Sequence, residues 1–149
     1  MRRRTMLAAV ASGAVTATAG CARLPAWSDD GTADGAGVSE SSFTVGDANC
    51  GEGSDSATVR TEDAAVAVRG TVTVASGCQT VELDDATVDD GELRVVVASV
   101  EREGVEQCVQ CLTDVSYSAS VTPVGGLPER VVVVHEARGE RNEVASVDL

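Results

Sequence analysis

Between residues 64 and 75 the chain alternates without a break. Val66, Val68, Gly70, Val72 and Val74 share one parity, and Ala65, Ala67, Arg69, Thr71 and Thr73 share the other. Successive side chains of a strand point to opposite faces, so this period of two, polar on one side, describes a half-buried β-strand. A helix would scatter the same valines around its circumference. The pattern returns at residues 115–121, where Val115, Tyr117, Ala119 and Val121 alternate with Ser116, Ser118 and Ser120. Gly70, in the middle of its strand, predicts a bulge or bend there.

Further strands are predicted at residues 58–60, 80–83, 93–100, 130–135 and 144–147, the fourth of these carrying Val131 to Val134. Asp89-Asp90-Gly91 is a hairpin signal, and Gly125-Gly126 with Pro128 turns the chain again. No window sustains a helical period. The expected fold is all-β, an immunoglobulin-like β-sandwich of about seven strands, with a small β-barrel as the alternative. Trp27 precedes every predicted strand, so the buried tryptophan of true immunoglobulin domains has no counterpart.

Ahead of the strands lies an address. Arg2-Arg3-Arg4-Thr5-Met6-Leu7 leads through a short run of Ala, Val and Thr into Thr18-Ala19-Gly20-Cys21. Basic residues, a short apolar stretch and small residues before a cysteine are the layout of a cleavable export signal, too short and too weakly apolar to span a bilayer. The paired arginines resemble a twin-arginine signal, and Ala19-Gly20-Cys21 resembles a lipobox, in which cleavage leaves a lipid on Cys21. An uncleaved anchor is the other reading of the same run. The organisation expected is a signal peptide at 1–20, the lipidated cysteine with a flexible linker of Ala, Gly, Ser and Asp at 21–43, and a single β-sandwich domain at 44–149.

Loss of the signal removes Arg2, Arg3 and Arg4, leaving 8 of 11 arginines against 24 acidic residues and a formal net charge of −16, compared with −13 for the whole chain. Such a charge repels phosphate backbones and anionic headgroups, so no nucleic-acid partner is expected and membrane attachment falls to the lipid. Lysine and isoleucine are absent. Dense carboxylates without lysine resemble the composition of extremely halophilic proteins, and nearly all the acidic residues are read as solvated surface.

The mature chain carries four further cysteines, Cys50, Cys78, Cys108 and Cys111. An even set in an exported domain predicts disulfides, and four cysteines allow three pairings. Their positions in loops beside predicted strands favour Cys78 with Cys108 and Cys50 with Cys111, without excluding the other two pairings. Cys108-Val109-Gln110-Cys111 also permits a thiol-disulfide redox pair, although the helix N-terminus and βαβ setting of such pairs are missing. Four thiolates would suit a structural zinc, but Cys50 and Cys78 do not form a second close pair.

Other chemistry finds few residues. His135, the only histidine, is placed at a strand end on the surface, and no Gly-x-Ser-x-Gly elbow accompanies it. A blue-copper site needs two histidines and usually a methionine, whereas Met1 and Met6 both belong to the signal. Asp84, Asp85, Asp89, Asp90 and Glu92 do not match a calcium loop. Tyr117 is read as a core residue whose hydroxyl finds a partner. No catalytic residue, metal ligand or cofactor is assigned, and the chain is read as not an enzyme.

Several segments together resemble a family of small uncharacterised lipoproteins of halophilic archaea exported by the twin-arginine route. They are Gly70-Thr71-Val72-Thr73, Gly77-Cys78, Cys108-Val109-Gln110-Cys111-Leu112, Tyr117-Ser118-Ala119-Ser120-Val121, and Gly125-Gly126-Leu127-Pro128 followed by Val131 to His135. The resemblance implies export, a membrane anchor and a cysteine-linked β domain, with no activity to carry over. The function expected is that of a lipid-anchored module on the extracytoplasmic face of the cell membrane, held through Cys21. Its role there would be structural or binding, and a cell-surface protein partner is left open.

Overall fold

The computed structural model describes residues 37–149. The signal peptide, Cys21 and residues 21–36 of the expected linker lie outside the described residues. Eight strands follow one another: β1 (Val38–Cys50), β2 (Ser56–Glu62), β3 (Ala65–Val74), β4 (Gln79–Asp89), β5 (Glu92–Glu101), β6 (Thr113–Pro123), β7 (Arg130–Ala137) and β8 (Glu140–Asp148). They form two four-stranded sheets, ordered β1-β6-β3-β2 and β4-β5-β7-β8, packed face to face as a β-sandwich and not closed as a barrel.

The additional strand is β1. It begins at Val38, so the boundary expected at residue 44 falls inside it, and residues 38–43 of the expected linker are strand. Local composition there is polar, Val-Ser-Glu-Ser-Ser-Phe, and pairing with β6 decides the conformation. Ser41 lies opposite Val121 and Phe43 opposite Ala119, and the Phe43 ring stacks on Tyr117 with centroids 5.4 Å apart.

Alternation places the core where the sequence implied. Val66, Val68, Val72 and Val74 of β3 and Val115, Tyr117 and Val121 of β6 face Leu93, Val95 and Val97 of β5 and Val131 and Val133 of β7. In β4 the parity changes partway: Leu83 and Ala86, three residues apart, are both in this core. A bulge at Asp84 causes it, since Leu83 pairs with Val97 but Asp85 with Val96. Strands β5 and β7 are parallel neighbours at the centre of their sheet. Their valine runs are buried on both sides, with Val96, Val132 and Val134 forming a second small cluster.

Turn chemistry follows the residues. Asp90 and Gly91, with φ of 49° and 77°, make the two-residue connection between β4 and β5. Both central positions are left-handed, which matches the right-handed twist of the strands. Arg138 and Gly139, at 54° and 72°, join β7 to β8 in the same way. The bulge or bend expected at Gly70 is not there: β3 runs in unbroken register with both β2 and β6.

Candidate functional site

Two constructions stand out, one on a segment that links the sheets and one enclosed between them. The first is the connection between β5 and β6, residues 102–112. Cys108 is bonded to Cys78, in the turn between β3 and β4, and Cys111 is bonded to Cys50, the last residue of β1. This is the favoured pairing. The two cysteines of the Cys-x-x-Cys segment therefore cross to different elements instead of bonding to each other. Main-chain bonds run beside each bridge: Gly77 N–H donates to the Val109 carbonyl at 2.9 Å and Gly51 N–H to the Leu112 carbonyl at 2.9 Å. The Arg102 guanidinium donates to the Gly77 carbonyl at 3.0 Å. A long loop is thereby held at both flanks, while Val109 at its tip remains 63% exposed. Among the described residues no group of three or more His, Cys, Asp or Glu side chains is placed to hold a metal.

The second construction is a buried polar series that sequence reasoning missed. His135, expected on the surface, is 1% exposed, because it shares the inward parity of Val131 and Val133 on β7. Tyr117, on β6 in the opposite sheet, brings its hydroxyl 2.7 Å from His135 Nε2. The rings meet edge to face at 76°. On the other side of the imidazole, Nδ1 lies 3.6 Å from Asp55 Oδ2. That distance is too long for a hydrogen bond, and Nδ1 has no other partner. Asp55 belongs to the short connection from β1 to β2, which passes from one edge of its sheet to the other. Its second oxygen accepts the Thr73 N–H at 2.7 Å, and the Thr73 hydroxyl donates to Asp114 Oδ1 at 2.7 Å.

Gly70 makes this arrangement possible. It sits opposite Tyr117 in the β3–β6 register, and a Cβ there would lie 2.5 Å from the Tyr117 hydroxyl oxygen and 2.5 Å from the Ser56 carbonyl oxygen. The glycine read as a bend is instead the space over which the tyrosine leans.

Electrostatics keep the series neutral at its centre. Burial lowers the His135 pKa below its usual range, with the Asp55 carboxylate pulling against that shift. Tyr117 is held well above the usual phenol value, by burial first and by the Asp55 charge second. A neutral imidazole carrying its proton on Nδ1, facing the carboxylate, leaves Nε2 free to accept from the tyrosine O–H. The order carboxylate, imidazole, hydroxyl is that of a proton relay. Its terminal hydroxyl, however, belongs to a side chain only 3% exposed. What the series does is tie the β1–β2 connection and both sheets together.

No protein family model, curated protein or solved structure matches this chain.

Proposed function

We propose that this chain is a lipid-anchored extracytoplasmic module with a structural or binding role at the cell surface, carried on Cys21 and without catalysis of its own. The observation that supports this most directly is the pair of disulfides that anchor the 102–112 connection through Cys108 and Cys111. Such bridges persist in oxidising compartments, which agrees with the export address read from residues 1–21. The enclosed Tyr117 hydroxyl, and the division of Cys108 and Cys111 between two partners, agree with a module that binds or supports rather than one that turns over substrate.

The test is made on the full chain expressed in a host competent for twin-arginine export. Membrane fractions are labelled with a lipid precursor, and the protein is alkylated in denaturant without reductant before intact-mass measurement. Label lost in Cys21→Ser, together with no added alkyl group on Cys50, Cys78, Cys108 or Cys111, is the expected result. Label retained in that variant would overturn the anchor. Two or four added alkyl groups would favour a thiol-disulfide or zinc-binding protein built on the same four cysteines.

A further inference from the structure

The chain holds 24 carboxylates against 11 arginines, so an arginine on its surface has anions in excess to choose from. Arg94, Arg130 and Arg141 each have a carboxylate partner, and Arg102 is bonded to the Gly77 carbonyl. Arg60, Arg69 and the turn residue Arg138 have neither an ion pair nor a hydrogen bond among the described residues, and all three are exposed; only Arg60 and Arg69 lie side by side. They project from the same outward face of neighbouring strands. Arg60 lies opposite Ala67 and Arg69 opposite Thr58, which makes the two arginines diagonal neighbours with Cβ atoms roughly 7–8 Å apart or less. Two like charges at that spacing repel each other, and no carboxylate forms an ion pair with either.

Both arginines border one hollow in the sheet surface, with Glu62 at its far edge. A second hollow shares Arg69 and Thr58 with the first and continues to Ser116 and Ser118. Together they form a shallow trough that runs across β2, β3 and β6, floored by hydroxyl-bearing and small side chains. Tyr117 borders the second hollow but is only 3% exposed, and it packs with Phe43 against the core, so no aromatic face is presented to the trough. Protein interfaces are centred on aromatic or large apolar anchors, and single-stranded nucleic acids need stacking rings in a basic field. The trough has neither. Two guanidinium forks, which hold planar oxyanions through paired N–H donors, stand here beside a row of hydroxyls.

From this geometry we propose that the trough binds an acidic polysaccharide, with Arg60 and Arg69 holding successive uronate carboxylates and Thr58, Ser116 and Ser118 hydrogen-bonding the sugar hydroxyls. The proposal deepens the binding role given above and rests on it. A repeating anion suits the site because the two arginines are fixed on adjacent strands of a rigid sheet. The acidic surface around the trough repels a polyanion at long range; salt screens that repulsion and weakens short bidentate contacts less.

The experiment is affinity electrophoresis of the exported full-length protein in mild detergent, through gels containing polygalacturonate or neutral dextran, with free galacturonate as a separate titrant. Retardation by polygalacturonate alone is expected, weakened about tenfold or more in Arg60→Gln/Arg69→Gln. Arg94→Gln/Arg141→Gln, which changes the net charge equally, should behave as the parent protein. No retardation by polygalacturonate, equal retardation of the Arg60/Arg69 variant, or equal retardation by dextran would overturn the proposal. Free galacturonate binding as tightly as the polymer would also overturn it, by assigning the site to a small carboxylate. Lipid labelling and alkylation mass report separately on the anchored-module reading, so either reading can fail without the other.

Discussion

Tyr117, His135 and Gly70 form one unit, in which each residue makes sense only with the other two. The tyrosine reaches the histidine by leaning over a position with no Cβ, so Gly70→Ala forces a methyl into the Ser56 carbonyl and the phenol hydroxyl. Overpacking of this kind destabilises by about 1–3 kcal/mol, and urea denaturation of Gly70→Ala should show a lower midpoint at unchanged slope. The histidine makes stability depend on pH. Its folded pKa is lowered, so as pH falls below about 6.5 the unfolded chain takes up a proton that the folded chain resists. The stability His135 allows is therefore full above about pH 6.5 and is lost as pH drops through the lowered folded value, with a slope approaching about 1.4 kcal/mol per pH unit. Thermal melts between pH 8 and 5 should show this decline, and Tyr117→Phe/His135→Leu should flatten it. At the alkaline end the sign reverses. Tyr117 has a raised pKa, so stability is full below about pH 10 and falls above it, as the unfolded phenol ionises first.

Among the elements, the 102–112 connection gains most from covalent chemistry. It passes from one sheet to the other, and no regular secondary structure holds it. The bridges close segments with sequence separations of 61 and 30 residues. Restricting the unfolded chain over loops of those lengths is worth about 4 kcal/mol for either bridge taken alone. Cys78→Ser/Cys108→Ser should accordingly lower the urea midpoint substantially while leaving the strand signal in circular dichroism. Because the bridges are nested, each shortens the loop that the other closes, so removing both should cost more than the sum of the two single losses. The strands themselves were largely visible in the chain. Residues 65–74 and 115–121 alternate so regularly that sheet and face could be read together, and Asp90-Gly91 announced its hairpin. Strand β1 was hidden, since its serines and its glutamate become a strand only by pairing with β6. The turn at Arg138-Gly139 was equally silent, because arginine is an uncommon residue at a left-handed position.

The whole molecule is a valine core inside a strongly acidic surface. With a formal net charge of −13, surface repulsion acts against the compact state at low ionic strength. Raising salt from about 0.1 M to about 1 M shortens the screening length from about 10 Å to about 3 Å, so the melting temperature should climb across that range. A flat response would show that the carboxylates are spaced widely enough to be indifferent to one another. By itself the sequence determined the all-β class and the inward parity of β3 and β6, because each depends on neighbours within a few residues, and its even cysteine count announced the bridges. Tertiary structure alone decided that β5 and β7 lie side by side and that His135 is enclosed, and among three possible cysteine pairings it selected the one the sequence favoured. It also decided that Arg60 and Arg69 share an open trough. These depend on strands far apart in the chain meeting face to face or edge to edge, and local alternation carries no information about which partners they choose.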